Sequence, residues 1–84
     1  MESVEHQLLR LLEDKVNDIR NSIFKTNKEI KKLEEILKEL PDWIDSKGYS
    51  DSLIGNERYL VTLNQKLIDE LYRYVTIKAL IKDK

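Results

Sequence analysis

Cysteine is absent from this 84-residue chain, proline occurs once and glycine twice. Without cysteine there are no disulfides, thiol nucleophiles or thiolate metal sites, a composition that suits a reducing cytoplasm, where the protein is expected. One proline and two glycines leave few places where the backbone is obliged to turn. A single histidine, His6, excludes the paired Glu-x-x-His motifs of di-metal helical bundles, and the glycines at 48 and 55 are too isolated to form a phosphate-cradling loop. No catalytic residues, cofactor ligands or metal ligands are assigned, and the chain is read as a non-enzyme. Apolar runs are short too. None approaches the roughly 20 residues of a membrane span, and Glu2, Glu5, His6 and Arg10 interrupt the start of the chain where a signal peptide would need continuous apolar residues.

Charge of one sign is also lacking. Fifteen basic residues face sixteen acidic ones, for a net charge of -1, so no nucleic acid or acidic membrane surface is advertised by the overall balance. Alanine is nearly missing, with Ala79 alone, while lysine, isoleucine and asparagine are common. That bias fits an A/T-rich genome and, with the small size, a virus- or mobile-element-encoded protein.

What the sequence does contain is periodicity. Leu9, Val16, Ile23, Ile30 and Leu37 recur every seven residues, as do Leu12, Ile19, Thr26, Leu33 and Leu40. Apolar residues alternating at spacings of three and four form the seam of a helix that lies against another helix. Ser3 is placed to cap this helix and Glu5 to favour the positive end of its dipole. Helix 1 is therefore expected over about residues 4–40. Thr26 and Glu29 also form a capping-box pattern that would break the helix near Asn21–Thr26, but the heptad phase passes through without glycine or proline.

Pro41 disfavours helical geometry at Leu40, and the stretch 41–50 reads as the connection, in which Pro41 could also begin a single helical turn. Helix 2 is expected over about 51–81, with Ser50 as cap, Tyr49 stapled onto Ile54, and Lys78, Lys82 and Lys84 at the negative end of its dipole. Its main stripe is read as Leu53, Leu60, Leu63, Leu67, Leu71, Tyr74 and Ile81. A second stripe, Ile54, Val61, Ile68, Tyr72, Val75 and Ala79, lies about 100° further round. Two apolar faces call for two neighbours. The fold class that follows is all-α, an antiparallel, coiled-coil-like hairpin forming a single domain over 1–84, completed as a homodimeric four-helix bundle.

The expected difference in helix length leaves the first two turns of helix 1 overhanging, so Leu8, Leu9, Leu11 and Leu12 are candidate partner-binding residues. They match an LxxLL string, which amphipathic leucine-rich helices also produce through ordinary packing. Trp43 and Tyr49 are the other partner-binding candidates. As loop aromatics they either close the end of the core or stand out as a contact hot spot. The lysines at 25, 28, 31, 32 and 38 suggest an alternative function as a nucleic-acid-associated protein, although interleaved Glu29, Glu34, Glu35 and Glu39 favour a salt-bridged face. Gly55 allows close approach of Trp43 or helix 1, or delays the helix until Asn56. Asn64 and Thr26 are polar positions in or beside the seams that suit a register-fixing role.

Leu63, Asn64, Gln65, Lys66, Leu67 faintly resembles the Ser-Gln-Glu-Leu-Asp signature of short helical-hairpin aspartyl-phosphate phosphatases. The aspartate of that signature falls on Ile68, so the activity is not carried over. Trp43 between two long helices is similar to the Trp-x-Gly family of small secreted hairpins, whose glycine is replaced here by Asp45. The function expected from the whole is a protein–protein interaction module acting as adaptor, regulator or inhibitor, with itself and another protein as partners.

Overall fold

The seam pattern is realised as two helices of equal length. In the computed structural model, which describes residues 3–82, α1 runs over Val4–Glu39 and α2 over Lys47–Lys82, 36 residues each. They pack along each other as an all-α hairpin measuring 66 × 18 × 14 Å. Ser3 caps α1 in extended geometry: its Oγ accepts from the His6 amide at 3.3 Å and its carbonyl accepts from the Gln7 amide at 3.2 Å. The otherwise orphan His6 amide is thereby satisfied, and the Ser3 carbonyl takes the first intrahelical bond.

Every residue of both seven-residue series on α1 is buried or half-buried, and Leu12, Ile30 and Leu33 are the most enclosed. The helix passes unbroken through Asn21–Thr26, because Thr26 donates its hydroxyl to the Ser22 carbonyl at 2.7 Å and so needs no partner across the seam. It ends at Leu40, whose ψ of 131° is extended as expected before proline.

The connection is shorter than the sequence suggests. Pro41 opens a turn closed by the Ile44 amide on the Pro41 carbonyl at 3.1 Å. Asp45 then accepts from the Lys47 amide at 3.0 Å, and the Ser46 carbonyl accepts from the Ser50 amide at 2.9 Å. The start of α2 is thus set by Asp45 and Ser46 and lies four residues before the expected Asp51. Ser50 is inside the helix and is not its cap, and Tyr49 lies in the first turn, not ahead of it as a staple. Both glycines are helical, and a methyl group at either would meet nothing within 4 Å, so Gly55 serves no close approach.

The α2 seam is also rephased. Ser50, Leu53, Asn56, Leu60, Leu63, Leu67, Glu70, Tyr74, Ile77 and Ile81 are the half-buried or buried positions, with Leu63 the most enclosed at 5% exposure. Leu71, expected in this stripe, is instead exposed, and Glu70 with Ile77 takes the seam. A strict seven-residue repeat sustained along both helices requires this phase, whereas following the leucines from 67 to 71 drifts off it. Asn56 satisfies itself by donating to the Ser52 carbonyl at 2.8 Å, and Asn64 is exposed and fixes no register within the hairpin. Lys82 lies in the last turn, while Lys84 lies outside the described residues.

One seam does not make a compact body. The radius of gyration is 19.0 Å, against about 12 Å for a compact domain of this length. The accessible surface is 6962 Å², where a compact 10.0 kDa monomer would expose about 5,200 Å². Buried hydrophobic residues are limited to Leu12, Ile30, Leu33 and Leu63 among the described residues. No described helix is long and apolar enough to cross a membrane.

Candidate interaction surfaces

Equal helix lengths remove the overhang on which four of the candidate residues rested. Leu12 is buried and Leu9 half-buried in the seam, so both act inside the hairpin. Leu8 and Leu11 remain exposed because they sit on the flank of α1 that turns away from α2. Together with Tyr72 and Thr76 of α2 they line an open groove of about 400 Å³ over Leu12 and Ile77, with Lys15 and Arg73 also on its walls. Val4 and Leu80, both more than half exposed, add apolar surface at the same end of the hairpin.

The other flank of the seam carries a smaller groove of about 280 Å³ lined by Glu13, Val16, Asn17, Leu71 and Tyr74. Here the Tyr74 hydroxyl donates to Glu13 Oε1 at 3.1 Å, tying the two helices, and the Lys78 ammonium lies 5.6 Å from the Tyr74 ring centre. Leu71 adjoins Ile68 and Val75 by helical spacing of three and four. These residues belong to a line of exposed β-branched side chains at strict seven-residue intervals: Ile54, Val61, Ile68 and Val75. All six residues of the second stripe read from the sequence are therefore exposed in the hairpin, with Tyr72 at the open-end groove. Phe24 is exposed on α1 with the Lys28 ammonium 4.6 Å from its ring centre, a cation–π contact at the surface, not a core contact.

At the closed end, Trp43 is 83% exposed and Tyr49 is partly so. Trp43 does not close the core, since the turn from Pro41 to Ile44 directs Ile44, half-buried, towards the hairpin instead. Trp43→Ala should accordingly shift the unfolding free energy by less than about 0.5 kcal/mol, the range of surface substitutions. Urea denaturation followed by circular dichroism checks this, and a loss of several kcal/mol would restore Trp43 to a structural role.

The polar candidates are engaged locally. His6 Nδ1 is 2.6 Å from Ser3 Oγ at the α1 cap. The lysines of α1 are exposed among glutamates, with Lys28, Lys31, Lys32, Glu29 and Glu35 bordering one shallow depression. No group of three His, Cys, Asp or Glu side chains among the described residues is arranged to hold a metal ion. Glu70 is the polar feature that sequence reasoning missed. Its side chain is 16% exposed in the α2 seam, Oε1 is 3.4 Å from Arg73 Nη1, and the enclosed Oε2 has no hydrogen-bond partner among the described residues. The signal was available, because the seven-residue phase set by Leu60, Leu63 and Leu67 lands on position 70.

Comparisons with protein-family models, with curated proteins and with solved structures gave no match.

Proposed function

We propose that the hairpin is a non-enzymatic protein-interaction module, an adaptor, regulator or inhibitor that presents apolar helix surface to other chains, a second copy of itself included. The observation that supports this reading most directly is the distribution of large apolar side chains. Leu8, Leu11 and Tyr72 are exposed around one groove at the open end, and Ile68, Leu71, Tyr72 and Val75 are exposed neighbours at helical spacing of three and four, with Ile54 and Val61 exposed further along α2. Contiguous apolar patches rimmed by polar residues mark interaction sites, whereas isolated exposed leucines carry no such meaning.

The groove at the open end favours a particular class of target. Its floor is apolar and its walls carry Lys15 and Arg73, a combination that suits an amphipathic helix with apolar anchors three and four residues apart and acidic flanks. Small size and A/T-rich composition fit a virus- or mobile-element-encoded regulator acting in the cytoplasm.

A display selection of helical peptides against the wild-type hairpin tests the groove. Peptides that bind it should lose at least tenfold in affinity, about 1.4 kcal/mol, against the Leu8→Asp/Leu11→Asp variant. Both positions are exposed, so the variant should retain its helicity. Selection of no peptide whose binding depends on these two leucines would remove the groove as the target site.

A further inference from the structure

We infer that the open-end groove of one hairpin receives the Trp43 tip of a second copy, so that copies associate head to tail. This rests on the interaction-module reading and names the occupant of its groove.

The two ends of the hairpin are complementary in shape and polarity. At the closed end Trp43, the chain's one tryptophan, stands in the turn from Pro41 to Ile44 and is 83% exposed, the most of any large apolar side chain described. So much apolar surface left in water is costly, and tryptophan is prominent among residues that anchor interfaces by filling a pocket on the other molecule. At the open end lies a groove of about 400 Å³ with an apolar floor and with Leu8, Leu11 and Tyr72 around it. Thr76 on its wall donates its hydroxyl to the Tyr72 carbonyl at 2.8 Å, which leaves the oxygen able to accept from an indole N–H. An enclosed indole needs such an acceptor.

Charge selects the pairing. Between 39 and 51 the chain carries Glu39, Asp42, Asp45 and Asp51 against Lys47 alone, and Asp42 and Asp45 lie within two residues of Trp43. The charged residues lining the groove are of the opposite sign, Lys15 and Arg73. Glu70 lies 3.4 Å from one Arg73 nitrogen, but the guanidinium is a five-donor fork on a side chain 64% exposed, so it can take a second carboxylate. Both cations also suit the indole itself, since ammonium and guanidinium groups pack against aromatic faces. Complementary potentials of this kind favour one occupant and one orientation.

The tip must come from another molecule. Leu11 and the end of α1 at Glu39 are about 42 Å apart at 1.5 Å per residue, so no chain can seat its own Trp43. Groove and tip are different surfaces, which makes the contact heterologous. Each copy that seats a tip still offers its own, and assembly extends with concentration instead of stopping at a pair. A tip in a groove covers less than the standard interface of about 800 Å² on each side and belongs to the weak, concentration-dependent class.

The single tryptophan reports the contact directly, because indole emission moves to shorter wavelength on leaving water. With wild-type protein raised into the millimolar range, light scattering should show a mass climbing past twice the 10.0 kDa chain mass while Trp43 emission shifts to the blue. Trp43→Ala keeps the groove and loses the tip, whereas Leu8→Asp/Leu11→Asp keeps the tip and spoils the groove, all at exposed positions. Each variant alone should stay at chain mass with its helicity intact. Mixed, they should pair at twice the chain mass and no further, and the emission of the aspartate variant should shift to the blue although the other chain carries no tryptophan. Lys15→Glu, placed in the Trp43→Ala chain, leaves the apolar floor untouched and should weaken that pairing about threefold. A wild-type protein that keeps chain mass and unshifted emission overturns the proposal, as does a mass that levels off at two chains or association that survives either variant. A mixture that does not pair, or pairs with no response to Lys15→Glu, overturns it too. Peptides whose binding depends on Leu8 and Leu11 would in each case leave the module reading standing.

Discussion

Replacing Ile30 with aspartate is expected to abolish the folded hairpin. Ile30 is 9% exposed and lies in the middle of α1, one turn from Leu33, and these two with Leu12 and Leu63 constitute the buried hydrophobic core among the described residues. Two costs add at this position. The branched side chain's transfer from water is lost, about 1.5–3 kcal/mol, and a carboxylate is enclosed without a partner, which costs several kcal/mol more unless it takes up a proton. A small domain held by one seam has a total stability of about 5 kcal/mol, at the low end for globular proteins. The sum therefore exceeds what the hairpin holds. Circular dichroism at neutral pH should show loss of most helical signal, because long helices in water depend on tertiary packing more than on propensity. Lowering the pH to protonate the introduced carboxyl should restore part of it, as the neutral acid is far less costly to enclose. A variant that keeps wild-type helicity and a cooperative transition at pH 7 would show that the seam does not run through position 30.

The core of α1 was legible in the sequence because it is written twice, in two series of seven-residue repeats, and a repeat of that length has one physical solution. The α2 start was not. Ser50 and Asp51 make as good a cap signature as Asp45 and Ser46, and Gly48 lowers helix propensity between them. Only the turn closed by Ile44 on Pro41, which aims Asp45 at the Lys47 amide, selects the earlier start. The misplaced start has a consequence at the far end. A shorter α2 leaves Leu9 and Leu12 without a partner helix, whereas four more residues in α2 bring it level with them and enclose them. Exposure of Leu8 and Leu11 survives the correction because it depends on which side of α1 they occupy, and not on how far α2 reaches.

The second apolar stripe was legible for the same reason as the first, since Ile54, Val61, Ile68 and Val75 also keep a strict period. Placement of Leu71 failed because position-by-position tracing of apolar residues prefers leucine to glutamate, while the geometry of two long helices enforces the period over the residue type. The loop aromatics were undecidable from sequence alone. Whether Trp43 turns in or out depends on the geometry of a single turn, and that turn gives the inward position to Ile44.

Glu70→Leu is expected to stabilise the hairpin, raising the midpoint of thermal unfolding by about 5–15 °C. The estimate combines a gain of about 1–2 kcal/mol with a response of 4–8 °C per kcal/mol for domains of this size. The glutamate occupies a seam position between Leu67 and Tyr74, with one oxygen enclosed and unpartnered among the described residues and the other 3.4 Å from Arg73, whose own side chain is 64% exposed. An ion pair with a solvated arginine contributes at most about 1 kcal/mol. Against it stand the cost of enclosing the second oxygen and the forfeited apolar contact at a position where leucine of similar volume continues the seven-residue phase. Comparison must be made at one protein concentration, because self-association would add its own dependence. Glu70→Gln separates the causes: if charge burial dominates, removing the charge alone recovers part of the gain. A carboxylate kept at a cost in a seam is also the kind of residue that limits alternative pairings between similar helices. If Glu70 serves that purpose, Glu70→Leu should gain stability and lose uniqueness, with light scattering reporting masses above those of the wild-type protein at the same concentration. A fall in the unfolding midpoint would mean that Glu70 has a partner in solution that its contacts within the hairpin do not supply.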